Sequence, residues 1–197
     1  MSTPTTRPDA PARDRILDAA YDLFSRRGIR GVGIDAVIAQ SGVARMTLYR
    51  HFSSKEQLAL AYLERREQEW TRNWLQAEVE RRADGGAARL LAIFDVFDAW
   101  FRQDDFEGCA FIHVLLETAD ARDAVHVAST ASLARIRDFL GGLARDAGAP
   151  DPDDLARKWH ILMKGSIISA GEGDADAARR AQAIGRLLLD AELPAGA

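Results

Sequence analysis

Cysteine is nearly absent from this 197-residue chain, where Cys109 stands alone. A single cysteine excludes an intramolecular disulfide and suits a protein of the reducing cytoplasm. The chain has no CxxC pair and no HExxH pattern, so no metal and no cofactor is expected. An apolar stretch of the kind that drives secretion is missing from the N-terminus, so no signal peptide is expected. Long hydrophobic runs are missing as well. The most apolar stretch, LLAIFDVFDAWF, is broken by Asp95 and Asp98 and is too short to cross a bilayer. No internal repeat and no convincing strand pattern occur, which leaves helices.

What is present is an ordinary globular composition, 47% apolar and 28% charged. The length suits one compact helical protein, or a small domain joined to a larger one. A net charge of −4 argues at first sight against nucleic acid. The distribution reverses that argument. Residues 1–52 hold eight arginines and five aspartates, a balance of +3, and the rest of the chain carries −7. Salt confines each field to about 10 Å, so a small basic head can bind DNA while its acidic body is repelled from it.

The chain is organised around SGVARMTLYRHFSSKEQL, from Ser41 to Leu58. Gly42 is the pivot of a helix-turn-helix, because glycine takes a left-handed turn conformation without steric cost. Ile34, Val37 and Ile38 form the inner face before the turn, and Val43 and Leu48 continue it afterwards. Arg45, Met46, Thr47, Tyr49, Arg50 and His51 are left pointing outward. Long cations and hydroxyls of this kind suit phosphate oxygens and base edges in a major groove.

Residues Arg13 to Leu60 resemble the DNA-binding domain of the TetR family of bacterial transcriptional repressors. The resemblance rests on Ile16, Ala19, Ala20, Phe24 and Gly28, on Gly42-Val43, on the run Thr47 to Phe52, and on Lys55-Glu56. Two positions depart from the family pattern. Gly33 and Ala44 stand where a serine or threonine usually opens a helix, and neither offers a cap oxygen. The resemblance implies an all-α protein of about nine helices. Its parts are a flexible tail (1–12), a helix-turn-helix DNA-binding domain (13–54), and a helical ligand-binding and dimerisation domain (55–197).

Local patterns predict the helices in turn. Ile16, Ala19, Ala20, Leu23 and Phe24 give the first an inner face, and Gly28 ends it. Its basic end, Arg26-Arg27, reads either as a complement to the helix dipole or as a phosphate contact. Ser54 to Gln57 has the S-x-x-Q pattern of a capping box, so a long helix begins at about Lys55 and runs to Arg82. Lys55 opposes the dipole there, as a phosphate clamp or as a solvated lysine. Leu90, Phe94, Phe97 and Phe101 mark a fifth helix, the segment 106–118 is mostly apolar and reads as a sixth, and another is expected over about 120–146. Asp151-Pro152 then caps an eighth. The ninth carries Ala177, Ala181, Ile184 and Leu188 near heptad spacing.

In the body, periodicity alone assigns the aromatic residues to the core. The resemblance adds an inducer cavity among the same helices, with Trp70, Trp74, Phe97, Trp100, Phe101, His113, Glu117, Trp159 and Met163 as candidate ligand contacts. The tryptophans are favoured because each N–H needs a partner. Cys109, His113 and Glu117 form a polar stripe at i, i+4 and i+8. It reads as a metal site, as a catalytic group, or as an interior histidine or polar inducer contact at His113; a redox sensor at Cys109 is the weaker reading, since no basic residue near in sequence activates it. The small residues Gly165, Ser166, Ala170, Ala177, Ala178 and Ala181 permit close helix approach, and apolar Ile184, Leu187 and Leu188 go with them. The resemblance makes them a homodimer interface, and the alternative is an intramolecular packing face.

The combined reading is a homodimeric repressor on a palindromic double-stranded operator, released by a small hydrophobic or aromatic inducer. Arg45, Met46, Thr47 and Arg50 read bases, and Tyr49, His51 and Lys55 hold phosphates. The competing readings are an activator with the same head, a helical metal-binding or enzymatic bundle using Cys109, His113 and Glu117, and a protein-interaction module.

Overall fold

The computed structural model describes residues 10–194, so Arg7 and most of the tail expected over 1–12 lie outside the described residues. Among the described residues the chain forms nine helices and no strand. They are α1 (Ala12–Arg27), α2 (Ile34–Ser41), α3 (Arg45–His51), α4, α5 (Gly86–Phe101), α6 (Ala110–Glu117), α7 (Ala124–Asp146), α8 (Pro152–Gly171) and α9 (Ala177–Glu192). Helix α4 has three parts: α-helical Lys55–Arg66, π-helical Glu67–Gln76 and α-helical Ala77–Arg82. The unbroken α-helix expected from Lys55 to Arg82 therefore has its middle wound more widely.

Two compact units result. Among the described residues, the first comprises 10–67 with Cys109–Ser132, and the second Gln68–Gly108 with 133–194. The unit that holds the helix-turn-helix thus takes in the start of α4, all of α6 and the start of α7. The inner face of α1 explains the first of these additions. Ile16, Ala19, Ala20, Leu23 and Phe24 are buried, and Phe24 and Tyr21 each meet the Tyr62 ring of α4 edge-on at 5.5 Å. Polar ties run alongside: Arg65 donates to Asp18 at 2.6 Å and Arg66 to the Tyr21 hydroxyl at 2.7 Å.

Helix ends follow local chemistry. Gly28 leaves α1 at φ +70°. Gly33 and Ala44 open α2 and α3 without a side-chain cap. Ser54 Oγ accepts the Gln57 N–H at 3.1 Å, but Gln57 Oε1 returns to the N–H of Ser53 rather than of Ser54. Asp151 caps α8 by accepting the Asp154 N–H at 3.0 Å. Helices α6 and α7 each start about four residues later than expected. Gly108 at φ +76° holds the chain before α6 outside the helical region, and Asp123 accepts the Val125 N–H at 2.8 Å ahead of α7.

In the second unit α9 packs on α5 and α8. Its buried seam is Ala177, Ala181, Gly185 and Leu189, a repeat of four, rather than the heptad path through Ile184. The Trp159 indole decides this. A Cβ at position 185 would lie 2.7 Å from its ring, so the small residue faces inward and Ile184 turns out.

Candidate nucleic-acid interface and aromatic cluster

The turn between α2 and α3 is made by Gly42 at φ +65°, whose N–H closes α2 onto the Ile38 carbonyl at 3.0 Å. Only a residue without a Cβ adopts that conformation freely. Val37, Val43 and Leu48 turn inward, Leu48 with no exposure at all, and so fix how α3 lies on α1 and α2. One face of α3 is then free. Met46 is 79% exposed, Arg45, Tyr49, Arg50 and His51 are exposed, and Thr47 is half-buried beside them.

These six side chains surround the buried Leu48 on a helix only two turns long, and a major groove is wide enough to admit such a helix. They are not equivalent. Arg45 is paired with the exposed Asp35 of α2, whereas Arg50 has no protein partner among the described residues. Lys55 stands half-buried in the first turn of α4. Burial lowers its pKa, and the nearby Glu117 carboxylate opposes that shift. At the end of α1, Arg26 is paired with Asp22 at 2.9 Å, an arrangement internal to that helix.

Residues 16–62 match the family model of bacterial regulatory proteins of the tetR family. A crystal structure of a TetR-type transcriptional regulator from Streptomyces avermitilis superimposes with a TM-score of 0.82 at 29% identity, covering 93% of this chain and 98% of that one. A TetR-family regulator from Streptomyces coelicolor does so at 0.81 and 27%, over 92% and 95%. The chain belongs to the TetR family. Curated relatives resemble this TetR-family chain in the head. An uncharacterized HTH-type transcriptional regulator of Mycobacterium tuberculosis is 46% identical over 54 residues, 27% of each chain. The HTH-type transcriptional activator FasR of Mycolicibacterium smegmatis is 43% identical over 53 residues, 27% of this chain and 24% of that protein. The chain thus matches about a quarter of these relatives' length. All are named as transcriptional regulators, not enzymes.

In the second unit of this TetR-family protein, five of the expected ligand residues lie together. Trp70 contacts Trp74 at 5.5 Å, Trp100 at 5.0 Å and Phe97 at 6.3 Å between ring centroids, and Phe101 joins through Phe97 at 5.4 Å. Phe106 completes the cluster, 4.9 Å from Trp100. Sequence reasoning missed it by placing residue 106 inside a helix. Trp159 and Met163 are buried, Trp159 against Phe94 at 5.5 Å. Four buried polar atoms in this unit have no hydrogen-bond partner: Trp70 Nε1, Thr71 Oγ1, Trp159 Nε1 and His160 Nδ1.

The polar stripe of α6 does not converge. Cys109 is buried at the helix start, His113 is exposed, and Glu117 binds backbone at the end of α1. Arg66 of α4 lies near Cys109 in space, although no basic residue is near it in sequence. No cluster of three or more His, Cys, Asp or Glu suited to a metal ion occurs among the described residues. The interior histidine is His160 rather than His113. Burial, with Lys164 and Arg137 nearby, depresses its pKa to about 3. Its position three residues before the buried Met163 and four after the buried Ala156 was a signal available in the sequence.

Of the residues proposed for dimer contact, Gly165 and Ile184 are exposed, Leu187 is 70% exposed, and Leu188 is half-buried. Ser166 and Ala181 are buried within the fold. Ser166 Oγ donates to the Met163 carbonyl at 2.8 Å. Among the described residues, no helix is long and apolar enough to cross a membrane.

Proposed function

We propose that this protein is a cytoplasmic, ligand-responsive transcriptional repressor that binds a palindromic operator as a homodimer. The observation that carries the reading is the face of α3, which presents cations, a hydroxyl and an aromatic ring around a buried Leu48. Arg50 is the leading base reader because it has no protein partner to give up, and Arg-to-guanine is the commonest specific contact. Arg45, Met46 and Thr47 read beside it. Tyr49, His51 and Lys55 hold phosphates.

The cluster around Trp70 supports a hydrophobic or aromatic inducer. Buried indole N–H groups without partners are what a ligand carrying an acceptor satisfies. Coupling between inducer and DNA is reciprocal, so DNA weakens inducer binding by the same factor. The exposed apolar side chains of α8 and α9 support pairing with a second copy: Ile161, Ile168, Ile184 and Leu187. Two copies set the half-site spacing at about 34–36 Å or a multiple of it. The activator FasR among the relatives favours a second reading, in which the same head activates. In vitro transcription from a bound promoter separates the two by the sign of the effect.

The test is fluorescence anisotropy on duplex from the region upstream of the protein's own coding sequence, against scrambled duplex, at physiological salt. A preference of about 10³ or more is expected, with Arg50→Ala losing about 1–3 kcal/mol of it. Absence of salt-dependent binding to any duplex overturns the reading.

A further inference from the structure

The end of α6 reaches into the helix-turn-helix unit at one point. Glu117 Oε2 accepts the backbone N–H of Ile29 at 3.0 Å and of Arg30 at 3.2 Å, across 88 and 87 residues of sequence. These two amides lie in the turn that leaves α1 and leads to α2. Residues 29, 30 and 117 belong to the same compact unit.

The turn is shaped around this carboxylate. Gly28 is at φ +70°, and a Cβ there would lie 1.7 Å from Glu117 Oε1. Glycine at 28 is thus required twice, by its backbone conformation and by the acid standing where a side chain would be. The same carboxylate acts electrostatically on Lys55 at the start of α4. One side chain of α6 therefore contacts the exit of α1 and influences the entry of α4, the two elements that frame α2 and α3.

We propose that Glu117 is a positioning residue for DNA recognition, a carboxylate clip by which α6 holds the α1–α2 turn and so sets the placement of the recognition helix. The inference rests on α3 being the DNA-reading element. Two backbone amides turned towards one charged acceptor form directional, charge-assisted bonds, which fix a turn more narrowly than apolar packing does. A recognition helix displaced by a fraction of an ångström loses bidentate base contacts first. Phosphate contacts are more tolerant, since they depend mainly on charge. The clip therefore acts on specificity more than on general affinity for duplex.

The experiment compares the full-length wild type with Glu117→Ala and Glu117→Gln. Amide hydrogen exchange at Ile29 and Arg30 reads the clip without DNA, and anisotropy on the upstream and scrambled duplexes reads recognition. Glu117→Ala is expected to accelerate exchange at both amides. It should also weaken upstream-duplex binding about tenfold and leave scrambled-duplex binding unchanged. Glu117→Gln, which keeps an acceptor oxygen, should fall between. A purely structural role would lower the melting temperature and reduce both duplex affinities together.

Unchanged upstream-duplex affinity in a folded Glu117→Ala protein overturns the proposal. Should that variant fail to fold, Glu117→Gln with faster exchange at both amides and full specificity overturns it equally. A wild type that prefers neither duplex and binds without salt dependence defeats the DNA-binding reading itself, which the exchange data do not depend on.

Discussion

Arg45 and Arg50 show how two residues of one type differ in what they must give up to meet DNA. Arg45 leaves Asp35, an exposed pair that contributes only about 0–1 kcal/mol, and Arg50 leaves water alone. Arg50 is accordingly the residue whose truncation should change sequence preference most. His160 presents a different case, a base held neutral by burial. Its pKa is about 3 in the folded chain against 6.5 when free. The unfolded state therefore binds more protons between those values, and stability falls as pH drops below about 6.5. Each pH unit in that window costs at most about 1.4 kcal/mol from this group. Thermal melts at pH 7 and pH 5 should show a smaller loss for His160→Gln than for the wild type. Equal losses would mean that His160 titrates normally.

At the scale of elements, α2 and α3 begin without side-chain caps, whereas α4 and α8 are capped by Ser54 and Asp151. The Ala44 backbone already has the extended conformation of a cap position, at φ −69° and ψ 148°. Ala44→Ser should therefore raise stability by about 0.5–2 kcal/mol, read as a higher urea midpoint with unchanged slope. A fall in the midpoint would show that the backbone cannot present the hydroxyl to the first turn of α3. The π-helical stretch of α4 is unusual for its length, since such turns generally come singly and near functional sites. It carries Trp70, Thr71 and Trp74, the part of the aromatic cluster with two of the unpartnered polar atoms.

For the molecule as a whole, the single chain leaves Ile161 and Ile168 of α8 and Ile184 and Leu187 of α9 exposed. Burying a leucine or isoleucine side chain contributes roughly 1.5–3 kcal/mol, so Leu187→Asp should separate the subunits. Sedimentation velocity at micromolar protein should show a species of twice 21.6 kDa for the wild type and of 21.6 kDa for the variant. Upstream-duplex affinity should fall with it, because one head reads only a half-site. A wild type that sediments as a monomer would make those helices a face for something other than a second copy.

The sequence by itself determined the helical fold, the position of the turn and the outward face of α3. Each of these is local: helical period, a glycine whose conformation few other residues adopt, and cap residues next to the helices they start. It also foretold most of the aromatic cluster, since Trp70 and Trp74 share one element and Phe97, Trp100 and Phe101 another. Tertiary structure decided the rest. It took Phe106 out of an expected helix and into that cluster, turned His113 outward, and put Gly185 rather than Ile184 against Trp159. It also brought Glu117 to Ile29 and Arg30. A contact across 88 residues leaves no periodic trace in the chain, because what selects it is the space left when helices distant in sequence pack together.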